Sequence, residues 1–238
     1  MQRKTSYNPL ITDITTDFGF TESFKALRTH ILYRSQVKNA KRILVTSAMK
    51  GEGKTTVSTN LALSFANSGK SVLLMDCDLR KPIIYPTPIP WWKIGVKGLT
   101  AVLYGQCEPT EAIIYDEELG IAVLPRGRTV INSAELLGSD AMQRLLDELG
   151  NSFDYIIMDT PPVNLLSDAV VLCSLADAVI LVVRQEHAKI DVIGETIDSL
   201  QNVGADIMGG VLNDIRHMNR NTGYKYKYYD DYDYYDFG

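Results

Sequence analysis

The sequence predicts a doubly wound α/β fold, a mainly parallel sheet with helices on both faces. Three observations predict it. Short runs rich in Val, Ile and Leu recur along the chain as "RILVTS", "SVLLMD", "IAVLP", "YIIMD", "AVILVV" and "IMGGVLN". Runs apolar on both faces suit strands covered on either side. Stretches of helical pattern, or loops leading to them, separate these runs, which is the order that builds parallel strands joined by crossover helices. Finally, 238 residues with 45% hydrophobic content supply the core of one large domain.

In chain order, residues 1–40 form an N-terminal extension carrying an amphipathic helix from about Thr21 to Ser35 behind a polar start. The core follows over 41–215. Its first strand is "RILVTS", and its helices are expected at Thr55 to Asn67, Asp140 to Leu149, Ser167 to Leu175 and Ile190 to Asn202. Beyond Asp214 the hydrophobic pattern stops. Residues 216–238 read as a flexible tail, with too few aliphatic side chains to offset the entropy of ordering them. No repeat of solenoid length is present.

Composition narrows the function classes. The net charge is -5, and no block of Lys and Arg suggests a nucleic-acid footprint. Cys77, Cys107 and Cys173 are odd in number and lack C-x-x-C spacing, which fits a reducing cytoplasm. The start "MQRKTSYNPL" has no signal-peptide core, and runs such as "AVILVV" are far too short to cross a bilayer. A membrane role is therefore expected to come through a partner. His30, His187 and His217 form no metal-ligand pattern and receive no role.

The stretch "RILVTSAMKGEGKTTVSTNLALSFA" orders a strand, a glycine-bearing loop and a helix as a phosphate site requires. Gly51 and Gly53 let the backbone curl so that its N–H groups face phosphate oxygens, and the helix N-terminus adds positive potential. Lys54 reaches the outer phosphates in such a loop, and the Thr55 hydroxyl binds Mg²⁺. Lys50, Glu52 and Thr56 complete the cradle. In the usual G-x-x-x-x-G-K-[ST] pattern a glycine stands where this chain has Ala48.

Two further segments strengthen the reading. "SVLLMDCDLRKP" ends a strand with Asp76, Asp78 and Arg80, and "FDYIIMDTPP" ends another with Asp159. In a parallel sheet these carboxylates emerge at the edge where the phosphate loop leaves its own strand. Helix capping explains one strand-terminal Asp, but poorly explains three.

The loop "KGEGKTT" with "LLMDCDLRKP" and "IIMDTPPV" resembles the Walker A, A′ and B motifs of the bacterial tyrosine kinases, the BY-kinase family of capsular and exopolysaccharide systems. The likeness extends to "GLTAVLYG", "AELLGSDAM" and the tyrosine-rich end. It implies a P-loop NTPase-like fold and an ATP- and Mg²⁺-dependent protein-tyrosine kinase that phosphorylates its own C-terminus. It implies that Lys54 binds phosphate and that Asp76 and Asp159 hold Mg²⁺ directly or through water. Asp78 is implied as the base for the incoming tyrosine, with a supporting place in the metal site as the alternative. Arg80 joins the nucleotide-binding set. Asn213 resembles an adenine-contacting asparagine of related ATPases, or else serves a turn.

The closing "YKYKYYDDYDYYDFG" contains seven of the chain's 13 tyrosines, Tyr224, Tyr226, Tyr228, Tyr229, Tyr232, Tyr234 and Tyr235. If the last strand runs parallel, this tail leaves from the nucleotide edge, with reach enough to enter its own site or a neighbour's. The alternative is an aromatic partner-binding segment without chemistry. Each added phosphate brings about -1.5 to -2 charge, which would expel the tail from an acidic site.

"ESFKALR" places Glu22, Lys25 and Arg28 on one helical face and resembles the family's E-x-x-R-x-x-R motif, which joins subunits into an octameric ring. Lys25 stands for the first Arg and lacks its planar bidentate pairing. The resemblance further implies a transmembrane polysaccharide co-polymerase as activator, a cognate tyrosine phosphatase, and recruitment to the inner face of the membrane. Residues 82–98, with Pro86, Pro88, Pro90, Trp91 and Trp92, depart from the family, as do Ile131, Asn132 and Ser133 before "ELL". The rival reading is a MinD- or ParA-type ATPase switch, whose K-G-G-x-G-K-T loop Lys50 also fits; a scaffold that only binds nucleotide is a third. The phenol-rich tail, lacking an apolar helical face, favours the kinase.

Overall fold

The computed structural model describes residues 10–12, 18–80 and 97–215. The seven tail tyrosines and most of the Pro- and Trp-containing stretch lie outside the described residues. Among the described residues, helix α1 (Phe18–Lys38) precedes β1 (Arg42–Ser47), α2 (Lys54–Ala66) and β2 (Val72–Asp76). There follow α3 (Leu99–Leu103), α4 (Pro109–Ala112), β3 (Ile114–Asp116), β4 (Ile121–Leu124), α5 (Ser133–Leu137), α6 (Asp140–Ser152) and β5 (Tyr155–Asp159). The chain then forms α7 (Asp168–Cys173), β6 (Ala178–Arg184), α8 (Ile190–Asn202) and β7 (Ile207–Asn213).

The strands join in one sheet of order β3-β4-β2-β5-β1-β6-β7, parallel throughout except for the β3–β4 pair. All six predicted strands are present, within a residue or so at their ends. β1 lies between β5 and β6, so the loop that follows it opens beside the end of β5.

Alternation along the strands divides the core in two, because successive side chains leave opposite faces of a sheet. Leu44, Leu73, Met75, Ile156, Met158 and Leu181 face a cluster completed by α3, α5, α6, α7 and α8. Ile43, Val45, Val72, Leu74, Ile157 and Val182 face a second cluster under α1 and α2. There Phe65 stacks on Tyr155 with ring centroids 4.1 Å apart. Burying such a side chain contributes about 2–3 kcal/mol.

Helix α1 belongs to this second cluster through Phe24 and Ile31. Arg28 ties it to α2, donating Nη1–H to the Ser64 carbonyl at 2.5 Å. Ahead of it, Leu10 is buried and the Ile11 N–H donates to Asn60 Oδ1 at 2.8 Å.

Four short elements escape the sequence pattern, α3, α4, α5 and the antiparallel β3. Three to five residues are too few to express a period. β3 is set instead by its turn, where Gly120 adopts a positive φ and its N–H donates to the Asp116 carbonyl at 2.8 Å. Helix α6 continues past the expected end at Leu149, and α7 is shorter than expected at both ends. α6 begins at a capping serine, Ser139, whose Oγ accepts from the Met142 N–H.

Candidate active site

Strand ends place the chemistry. Asp76 closes β2 and Asp159 closes β5, and the two are register partners on neighbouring parallel strands. β1 is paired to β5 with Val45 opposite Asp159, so the chain leaving Ser47 enters the loop toward α2 beside these carboxylates. Gly51 and Gly53 both hold positive φ, 87° and 92°, a region other residues reach only with strain. A Cβ at Gly53 would lie 1.9 Å from Asn213 Nδ2, so the position admits only glycine while Asn213 remains in place.

Lys54 is buried, and its ammonium donates to Ser47 Oγ at 3.0 Å. One turn of helix carries the next donors. Thr55 Oγ1 donates to Asp159 Oδ2 at 2.7 Å and Ser58 Oγ donates to Asp159 Oδ1 at 3.3 Å. Thr56, next along the turn, offers its carbonyl to Asn60 Nδ2 at 2.9 Å.

Glu52 turns inward. Its side chain is fully buried, and Oε2 accepts the Met49 N–H at 2.7 Å, closing the loop upon itself. Lys50 is exposed at the loop's tip.

The Asp76 carboxylate is 4% exposed, and burial pushes its pKa up to about 6, with the neighbouring Asp159 adding in the same direction. Arg126 opposes this. Its Nε and Nη2 reach Asp76 Oδ2 at 2.7 and 2.5 Å, a forked contact across the end of the sheet. Arg126 was missed by sequence reading because it follows β4, far along the chain from any recognisable phosphate motif. Its position is built by α3, whose Leu99 and Thr100 N–H groups donate to the Pro125 and Arg126 carbonyls at 2.7 and 2.9 Å. Gly98 and Gly127 permit that approach, since a Cβ on Gly98 would lie 2.4 Å from the Gly127 nitrogen.

Asp78 is buried behind Asp76, and its N–H donates to Asp76 Oδ1 at 3.1 Å. Cys77 lies between them with its thiol pushed well up by burial and by these carboxylates, so it is a packing residue and not a nucleophile. Arg80 donates Nε–H to Asp168 Oδ2 at 2.9 Å. Asp168 is fully buried and also accepts from Ser133 Oγ at 2.5 Å, which joins the end of β2 to α5 and α7.

The residues suit a magnesium nucleotide. Among the described residues no group of three His, Cys, Asp or Glu forms a metal centre by itself. Magnesium does not need one, because it retains water and takes one or two carboxylates together with phosphate oxygens. A hydroxyl beside a carboxylate, at the mouth of a glycine-lined loop with a buried lysine, is a donor set of that kind.

The far rim of the loop meets β6 and β7. Asn213 Nδ2 donates to the Glu52 carbonyl at 2.8 Å, and His187 Nε2 lies 2.8 Å from the Lys50 carbonyl. Arg184 pairs with Asp214 at 2.5 Å. No sequence signal marked His187 or Arg184. On α1, Lys25 pairs with Glu22 at 2.6 Å on an exposed surface, while Arg28 faces α2.

A family model described as an AAA domain matches residues 40–208. Tyrosine-protein kinase YwqD of Bacillus subtilis (strain 168) is 33% identical over 206 residues, covering 87% of this chain and 85% of that protein. This chain belongs to the bacterial tyrosine kinases. The kinase domain of Escherichia coli tyrosine kinase ETK superposes with a TM-score of 0.77 at 29% identity, over 86% of this chain and 80% of that one. The chimerical protein CapA2B2 gives 0.79 at 30% identity, over 87% and 89%. The rival reading meets a more distant likeness, to the MinC:MinD complex of Aquifex aeolicus, with a TM-score of 0.60 at 26% identity over 74% and 70%. The protein is thus a protein-tyrosine kinase of P-loop NTPase-like fold, as its sequence motifs imply. Among the described residues, no helix of this bacterial tyrosine kinase is long and apolar enough to cross a membrane.

Proposed function

We propose that this kinase transfers the γ-phosphoryl group of Mg-ATP to tyrosines of its own C-terminal cluster, and thereby regulates synthesis and export of a capsular polysaccharide or exopolysaccharide. The single observation that carries the site is the registered Asp76–Asp159 pair with Thr55 bonded to Asp159 at the mouth of the glycine loop. Lys50, Gly51, Gly53, Lys54 and Thr56 would line the phosphates, the Glu52 carboxylate would brace that loop, and Arg80 and Asn213 would stand at its borders. Magnesium would be held by Thr55, Asp159 and Asp76, directly or through water, and when bound neutralises charge on the phosphate oxygens.

In the transfer the phenol oxygen attacks Pγ while the bond from Pγ to the β,γ-bridging oxygen breaks, and ADP leaves with that electron pair. A phenol of pKa about 10 is protonated at neutral pH, so its proton passes to a carboxylate, and Asp78 is the group proposed to receive it. Lys54 would hold the outer phosphates through the reaction.

The same reading assigns residues 1–40 to an extension carrying the oligomerisation helix, 41–215 to the kinase core and 216–238 to the phosphorylated tail. Glu22, Lys25 and Arg28 would contribute to a ring of eight. A transmembrane activator would bring the chain to the inner face of the membrane, and a tyrosine phosphatase would reverse the modification.

The test is incubation of the purified chain with Mg-ATP and mapping of phosphate by mass spectrometry, beside Lys54→Met and a truncation at Thr222. The kinase labels Tyr224 to Tyr235 and neither variant does. Release of free phosphate with no labelled tyrosine, also in the presence of the activator, would instead establish an ATPase switch.

A further inference from the structure

Three successive carbonyls of the phosphate loop are each met from outside by a side chain of the β6–β7 region. The Lys50 carbonyl lies 2.8 Å from His187 Nε2, the Gly51 carbonyl accepts from Arg184 Nη1 at 3.4 Å, and the Glu52 carbonyl accepts from Asn213 Nδ2 at 2.8 Å. A carbonyl only accepts, so the His187 ring carries its proton on Nε2 in this contact. Among the described residues no peptide bond is cis. In a trans peptide the C=O of one residue and the N–H of the next point in opposite directions. Holding the carbonyls of residues 50, 51 and 52 outward therefore turns the N–H groups of Gly51, Glu52 and Gly53 inward, toward the space a phosphate would take.

We infer that His187, Arg184 and Asn213 are positioning residues that set the phosphate cradle before nucleotide arrives. The inference rests on the nucleotide site proposed above. Glycines at 51 and 53 make the loop conformationally permissive, so without outside restraint its N–H groups sample many directions. Donors on a strand of the sheet and on the turn after its neighbour supply that restraint from rigid elements. Arg184 adds a second consequence. It also pairs with Asp214, the residue following β7, so the root of the C-terminal segment and the phosphate loop share one guanidinium.

His187 gives the sharpest test because it is exposed and its loss leaves the core untouched. In the full chain, His187→Phe keeps a ring without the donor, and His187→Gln restores an N–H of similar reach. Titration calorimetry with Mg-ADP as probe is expected to show affinity reduced roughly five- to tenfold in His187→Phe, the range of one lost hydrogen bond. Affinity should return to within about twofold of the parent in His187→Gln, with the thermal midpoints of both variants within a few degrees of the parent. Equal Mg-ADP affinity in the parent and His187→Phe overturns the inference, as does a His187→Gln chain as weak as the Phe variant. A parent chain with no affinity for Mg-ADP overturns the nucleotide site itself, and this inference with it.

Discussion

Asp76 and Asp159 end adjacent parallel strands as register partners, and only one of them has a hydroxyl donor from α2. Asp159 accepts from Thr55 and Ser58, while Asp76 is answered by Arg126 from the opposite side. Two carboxylates at one sheet edge repel, and each is given its own compensating partner. The arrangement makes the pair separately addressable by mutation.

Asp76 gives a pH dependence. Unfolded, it releases its proton near 3.8; folded, burial holds the proton until about 6. Between these values the folded state binds more protons, so raising the pH through that window lowers stability, and the cost is constant above it. The shift corresponds to about 3 kcal/mol at most. Chemical denaturation of the nucleotide-free chain from pH 4 to pH 7 should show its stability falling relative to Asp76→Asn across that window and parallel to it above. A constant difference would show that Asp76 titrates normally.

Arg126→Met removes the cation that opposes this rise. The Asp76 midpoint should move further up, and tyrosine phosphorylation at pH 7 should drop about twofold for a one-unit rise, which takes the ionised share of the carboxylate there from about nine-tenths to about half. Raising the pH to 8.5 should recover part of the loss. A pH-independent defect would assign Arg126 to substrate contact instead.

Gly53→Ala should weaken nucleotide binding and cost stability. Its Cβ would strike Asn213 Nδ2, and the positive φ strains any L-residue by about 1–2 kcal/mol. Asn213→Ala relieves the collision but not the strain. Urea melts of the two single variants and the double should therefore be less than additive, with the double variant costing less than the sum.

Asp168→Ala tests the support behind Arg80. It leaves the Ser133 hydroxyl buried without its acceptor and strands a guanidinium one third exposed. We expect a loss of about 2–4 kcal/mol in unfolding free energy. Asp168→Asn should lose less, because its amide oxygen still accepts from Ser133.

Much of this molecule was legible from local pattern. Buried strands announce themselves as apolar runs because both of their faces are covered, so β1, β2, β4, β5 and β6 were found; β7 was found from its own apolar run, although as the edge strand it is only partly covered. The glycine loop, Lys54, Thr55, Asp76 and Asp159 were equally visible, because strand ends and helix starts in a parallel sheet converge on one edge whatever the loops do. The antiparallel β3 was not, since its partner and turn, and not its composition, make it a strand.

Which partner each polar group takes depends on how the strands are ordered and paired. Local pattern alone was enough to bring a loop of glycines up against strand-terminal carboxylates. It did not reveal that Arg126, 50 positions past Asp76, closes on it, that Arg80 is claimed by Asp168, or that His187 and Asn213 grip the phosphate loop from behind. Apolar periodicity is a local property repeated over many residues. A hydrogen bond between segments separated by dozens of residues depends on one strand order and one register, and nothing in its two short stretches of sequence records that choice.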